Sequence, residues 1–306
     1  MQANTISIRN NVITRALGAL SLLCACGLSQ SPASAQTAYL QTATSANRVG
    51  NWTALQMRDS NPNNIYFVTS NWNPPGSGGV YNNHPTGVWF NGSDWAIFNQ
   101  DGATVPLGAS FNVFGAPANT SPYTNANCYV HTATASNSAG DYTVLDNVHA
   151  NGNPWALIWV TPNWNPGNRG GVYDNHNIGV WYDSAIGRWA IFNQDRTAIP
   201  AGASFNVYVQ TYIYYPDWYV HTATSANIMG NFTVLNDSRI NGVPGHLLLV
   251  TPNWNPPTGN GTPGSGVYNN HAIGVWYDSA IGRYAIFNQD ITAIPSGASF
   301  NVMVVK

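Results

Sequence analysis

The sequence predicts an all-β chain built as three tandem antiparallel domains, each a β-sandwich or small β-barrel of about 90 residues. Three observations predict it. Tyr39-Leu40-Gln41-Thr42-Ala43-Thr44 returns as YVHTAT at Tyr129 and again at Tyr219, a period of 90 both times. Short apolar runs alternate with clusters of Gly, Pro and Asn, and no segment keeps a helical period. Each copy then closes on Ser-Phe-Asn-Val, at Ser110, Ser204 and Ser299.

The elements follow in order. Residues 1–35 read as a secretory signal: Arg9 and Arg15 precede the uncharged run from Ala16 to Leu28, and Ala33-Ser34-Ala35 offers a cleavage site before Gln36. That run is too short to cross a bilayer, so no membrane insertion is expected. Leu23-Cys24-Ala25-Cys26 supplies the alternative, a lipid anchor on Cys26. Repeat domains are then expected at 38–115, 128–209 and 218–306, joined by linkers at 116–127 and 210–217. The second linker carries Tyr212, Tyr214 and Tyr215 and is expected to pack between domains. Within a unit, Ala156–Thr161 and Leu247–Thr251 are continuous apolar runs ending at Pro162 and Pro252, as buried strands do. Gly179–Tyr182 and Arg188–Asn193 flank a turn with Asp183 and Gly187, a hairpin. Phe205, Val207 and Val209 alternate onto one face. About six strands per unit result.

Charge narrows the partners. Beyond the signal the cations are Arg48, Arg58, Arg169, Arg188, Arg196, Arg239, Arg283 and Lys306; against twelve Asp and no Glu, 8 − 12 leaves −4. No basic stripe exists, which argues against nucleic acid and anionic membranes. Cys128 is the one cysteine after the signal, so no disulfide can form within the mature chain. It reads as a small buried residue.

The densest motif is TPNWNPGNRGGVYDNH at 161–176, with copies from Thr69 and Thr251. Downstream, VWYDSAIGRWAIFNQD and VWYDSAIGRYAIFNQD differ at one position. The combination of NWNP, GGVYNNH, GVWYD and WAIFNQD resembles an uncharacterised family of repeat domains in secreted bacterial proteins. The resemblance spans nearly all of 38–306 and implies secretion and these domain boundaries, but no established activity. The first copy departs from it, with Gln41 where the others have His131 and His221, and Asp94 in place of the arginine.

Catalysis fits the inventory poorly. A glycosidase needs two facing carboxylates, and only Asp101, Asp195 and Asp290 recur in all copies. Asp183 and Asp278 sit in a hairpin turn, where Asp serves turn geometry. Ser204, His176 and Asp195 could compose a triad, yet no nucleophile elbow surrounds the serine. One His and one distant Asp per unit fall short of a zinc set. No cofactor is expected, calcium on the Asn-Gln-Asp segment being the weak alternative.

Sugar recognition fits better, because it uses an aromatic plane beside amides and carboxylates that bond hydroxyls. The expected ligand residues are Trp72, Asn73, Tyr81, Asn83, His84, Asn99, Gln100 and Asp101 in the first repeat. In the second they are Trp164, Asn165, Tyr173, Asn175, His176, Asn193, Gln194 and Asp195. In the third they are Trp254, Asn255, Tyr268, Asn270, His271, Asn288, Gln289 and Asp290. Trp181, Trp189 and Phe192 lie in strands and read as core. For Trp164, core packing and ligand stacking stand level. The sequence thus predicts a secreted, non-enzymatic, multivalent binder of extracellular glycans or cell-surface polysaccharide, with one shallow site per repeat. A structural or adhesive repeat protein is the alternative, and a hydrolase of extracellular polysaccharide the second.

Overall fold

The structure, a computed structural model, describes residues 37–75, 78–116, 126–211, 217–259, 261 and 263–305. The segment expected to be a signal, its Cys26 alternative, most of the 116–127 linker and the linker tyrosines lie outside the described residues. Each repeat has seven strands. The first has β1 (Thr37–Thr42), β2 (Arg48–Val49), β3 (Trp52–Ala54), β4 (Ile65–Asn71), β5 (Thr86–Phe90), β6 (Trp95–Asn99) and β7 (Ser110–Ala116). The second has β8 (Ala126–Thr132), β9 (Ser138–Ala139), β10 (Tyr142–Val144), β11 (Leu157–Pro162), β12 (Ile178–Asp183), β13 (Arg188–Asn193) and β14 (Ser204–Gln210). The third has β15 (Trp218–Thr222), β16 (Ile228–Met229), β17 (Phe232–Val234), β18 (Leu247–Pro252), β19 (Ile273–Asp278), β20 (Arg283–Asn288) and β21 (Ser299–Val305). The strand beyond the six expected is the two-residue β2, β9 or β16, too short to leave a pattern in sequence.

Every repeat is a two-sheet sandwich. One sheet places the last strand between the first and the fourth, as in β11-β14-β8, and the other has the order β12-β13-β10-β9. The expected hairpin is β12–β13, with Asp183 opposite Arg188. Alternation works as predicted: Phe205, Val207 and Val209 enter the core of repeat 2, beside Ile158, Val180, Trp189 and Ile191. Trp189 is fully buried and donates its indole N–H to the Asn153 carbonyl at 2.9 Å, so its one polar atom is satisfied.

A fourth core belongs to no single repeat. Ile65, Phe67 and Phe114 meet Cys128, Leu157, Trp159 and Tyr208, and then Leu249 and Met303 of the third repeat. Phe67 and Phe114 each hold a ring contact with Tyr208, at 6.0 and 5.9 Å. Cys128 has no exposed surface there and is a free thiol, and burial pushes its pKa far up. It is an inert packing residue.

The strands around this shared core run on into a ring of repeated contacts. The Trp72 N–H donates to Val275 O at 2.9 Å, Trp164 N–H to Val88 O at 3.0 Å, and Trp254 N–H to Val180 O at 2.8 Å. Repeat 1 thus leans on repeat 3, repeat 3 on repeat 2, and repeat 2 on repeat 1. At one seam the pairing is regular enough to fuse sheets, β4 lying parallel to β19 with Ser70 opposite Gly274. The threonines before the NWNP loops close the same circle. Thr161 accepts from Val68 N–H at 3.1 Å, Thr251 from Val160 at 3.1 Å, and Thr69 from Val250 at 3.0 Å. Equivalent contacts that return to their start define a pseudo-threefold axis through the shared core.

Candidate functional site

The predicted residues divide into three groups with different positions. The amides are the first. Asn165 is buried and grips the next repeat in both directions, donating to Phe90 O at 2.7 Å and accepting from Phe90 N–H at 2.8 Å. Asn255 does the same to Tyr182, and Asn73 to Tyr277. Gln100, Gln194 and Gln289 are buried and accept from the backbone N–H of Asp174, Asn269 and Asn82 at 3.2, 2.9 and 2.8 Å. Asn99, Asn193 and Asn288 have no exposed surface and bond Asn82, Asp174 and Asn269. These nine amides, expected from sequence to meet hydroxyls, instead satisfy buried protein groups at and beside the seams. An unpaired buried N–H or C=O is costly, and a side-chain amide carries both complements.

The aromatics form the second group. Each NWNP tryptophan lies across a seam, its ring centroid 5.8–6.2 Å from a tryptophan of the next repeat: Trp72 with Trp276, Trp164 with Trp89, Trp254 with Trp181. The GVY tyrosine of its own loop follows at 5.6 Å in all three. That tyrosine then meets Phe287, Phe98 or Phe192 edge-on at 5.8–5.9 Å. The partner tryptophans Trp276, Trp89 and Trp181 each meet a further half-buried ring, Phe232, Trp52 or Tyr142. A glycine makes the loop possible: a Cβ on Gly171 would sit 1.8 Å from Trp164 O, and one on Gly79 would sit 1.9 Å from the Trp72 ring. Trp181, expected in the core, is half-buried on this seam, while Trp189 is core as read. Neither alternative for Trp164 holds alone. It packs, but between repeats, against Trp89 and Tyr173.

Two of the seams border an open groove. Trp72, Tyr81, Phe232, Trp276 and Phe287 bound one of about 210 Å³, and Tyr142, Trp181, Phe192, Trp254 and Tyr268 one of about 180 Å³. The tyrosines stay exposed at 41 % for Tyr81, 51 % for Tyr173 and 41 % for Tyr268, so each seam presents an amphipathic ring to solvent. Arg196 and Asp141 border the second groove, and Arg196 holds φ +65, a left-handed conformation that Gly102 occupies in repeat 1.

The third group is axial. His84, His176 and His271 line one small cavity of about 90 Å³, with Ser70, Thr86 and the prolines Pro162 and Pro252. Each histidine engages its aspartate through Nδ1: His84 with Asp101 at 2.5 Å, His176 with Asp195 at 2.7 Å and His271 with Asp290 at 2.6 Å. The other carboxylate oxygen caps a turn, accepting from Ala103, Thr197 or Thr292 N–H. Desolvation alone raises the Asp195 and Asp290 carboxyls, but the turn N–H and the histidine outweigh it and hold both below the usual value. Asn83, Asn175 and Asn270 are exposed beside these pairs, and Asn270 accepts from the Asn177 amide at 3.2 Å. The cavity has room for a few waters, not for a sugar ring. Among the described residues no group of three or more His, Cys, Asp or Glu is placed to hold a metal ion. The Ser204 hydroxyl lies 2.8 Å from the Thr132 hydroxyl and bonds the Gly202 carbonyl, partners other than His176.

The fold and seams define a ring of three homologous all-β repeats. The chain belongs to a family described as a domain of unknown function, DUF7452, whose model matches residues 30–115, 119–209 and 182–304. No curated protein and no solved structure matches it.

Proposed function

We propose that this protein is a secreted, non-enzymatic, multivalent carbohydrate binder whose sites are the grooves at the three seams. The observation that carries the reading is the recurrence at every seam of one exposed tyrosine beside a packed Trp–Trp pair. A pyranose offers an apolar C–H face to such a plane and a rim of hydroxyls to the Asn, Asp and Arg groups at its border. The grooves at two seams are small and open, so a single site of this kind binds weakly. Three on one rigid ring raise apparent affinity by roughly two to four orders of magnitude for a repeating glycan.

The test is a glycan array probed with the whole folded chain, with and without EDTA, followed by Tyr81→Ala, Tyr173→Ala and Tyr268→Ala singly and together. Signal should fall stepwise with each change while the melting temperature holds within a few degrees. A blank array from well-folded protein sinks the proposal, and loss of signal with EDTA moves the Asn-Gln-Asp turns into a calcium-dependent role. A structural or adhesive role is the second reading. The clasp amides favour it, because they spend the shared motif on holding repeats together.

A further inference from the structure

One seam differs from the other two on both of its walls. From Asn255 the third repeat takes twelve residues to reach Val267, where Asn73 to Val80 and Asn165 to Val172 take seven. Facing that longer loop, Trp155 stands where repeat 1 has Asn63 and repeat 3 has Gly245. In the first seam the short loop lies down on its neighbour, Gly167 N–H donating to Pro62 O at 3.1 Å. Where repeat 1 meets repeat 3, Pro75 approaches Gly245 beside a space of about 190 Å³. Between repeats 2 and 3 Gly261 of the loop lies against the Trp155 indole, a Cβ on it falling 3.2 Å from Nε1. The cleft beneath holds about 520 Å³, within the range of small-ligand sites.

Its lining specifies a ligand class. Trp155, Trp218, Trp254 and Pro257 supply apolar planes, and Thr258 and Ser265 supply hydroxyls. Among the described residues no charged side chain lines it, so an ionic ligand would lose hydration with no counter-charge in return. Trp155 is 41 % exposed, so part of its indole stays open to solvent beside Gly261.

We infer that this cleft is a separate binding site for a neutral oligosaccharide segment, with Trp155 as its stacking platform and the long third-repeat loop as its outer wall. The inference rests on the carbohydrate reading above and adds what the seam grooves of about 180–210 Å³ lack, room for more than one sugar unit. It makes the ring functionally asymmetric: weak seam sites and one extended site.

The test titrates the full chain with neutral monosaccharides and their linear oligomers, read by calorimetry and tryptophan fluorescence, against Trp155→Asn, which installs the first repeat's residue at an exposed position. Oligomers should bind the variant roughly tenfold or more weaker, with monosaccharide binding and melting temperature unchanged. Unaltered oligomer binding by Trp155→Asn overturns the inference and leaves the seam grooves standing. Absence of any saccharide binding to the wild type overturns both. Oligomer binding that survives loss of all three seam tyrosines but not Trp155→Asn supports the cleft against the grooves. A proline-rich peptide that occupies the cleft in preference to every saccharide refutes the ligand assignment.

Discussion

Acidification from about pH 7.5 to about pH 5 should destabilise the fold by about 4 kcal/mol through two imidazoles, His131 and His221. Both are 8 % exposed, and each lies 2.8 Å, through Nε2, from a buried threonine hydroxyl, Thr143 or Thr233. Those hydroxyls donate onward to Asn137 and Asn227, so each imidazole donates from Nε2. A second proton would place a charge on a buried ring. Desolvation accordingly lowers both pKa values from 6.5 to about 4. The folded value is depressed, so the stabilisation is complete above the unfolded pKa and disappears as pH falls from 6.5 towards 4. At about pH 5 each histidine has lost about 2 kcal/mol of it. Asp195 and Asp290, held below 3.8, release their share only at still lower pH. Asp174 works in the opposite sense, because burial raises its carboxyl and it gains from protonation, so the comparison belongs in an Asp174→Asn background. Urea unfolding at the two pH values measures the loss. The control is His131→Gln with His221→Gln, copying repeat 1, where Gln41 is fully buried and donates to Ala54 O at 2.8 Å. That double variant should flatten the profile. A decline that persists in it, or a wild type with no decline, refutes the buried neutral imidazole.

Three further outcomes follow from the seams and their surroundings. Asp174→Asn should stabilise by about 1–3 kcal/mol near neutral pH in chemical denaturation. Asn82 with Asn99, and Asn269 with Asn288, form reciprocal amide pairs, whereas Asp174 receives one bond from Asn193 and leaves Asp174 Oδ2 and Asn193 Oδ1 buried without partners. Asn165→Ala strips both backbone groups of buried Phe90 of their partner and should cost about 2–4 kcal/mol, measured by thermal melting. Ile291→Gly should gain about 1 kcal/mol, since a β-branched residue there holds φ +67 at the position where Gly102 sits in repeat 1; an unchanged urea midpoint would show the strain to be relieved.

The period, the hairpin and the sandwich strands were legible because they arise from neighbours close in sequence. The functions of the amides were not. Asn165 or Gln194 offers the same donor and acceptor to a hydroxyl as to a peptide group, and what decides is a backbone more than seventy residues away. Trp164 was ambiguous for a related reason, since the ring that packs it, Trp89, belongs to a neighbouring repeat 75 residues away in sequence. Trp155 escaped notice altogether. Comparing copies draws the eye to what they share, and this residue carries information because the other two copies lack it.

The closed circle of clasps has a consequence for copy number. A head-to-tail contact whose rotation closes after three steps leaves no spare socket, whereas two repeats would leave one clasp and one socket open at opposite ends. Adding a fourth repeat would open the ring or leave that repeat undocked. A single repeat could satisfy itself only by recruiting two copies of its own kind, so an excised second repeat, residues 128–209, should appear in sedimentation as a trimer or fail to fold. The chain is in this sense a homotrimer made covalent. Copies within one chain need not be identical, and the second and third differ from the others on the two facing walls of one cleft.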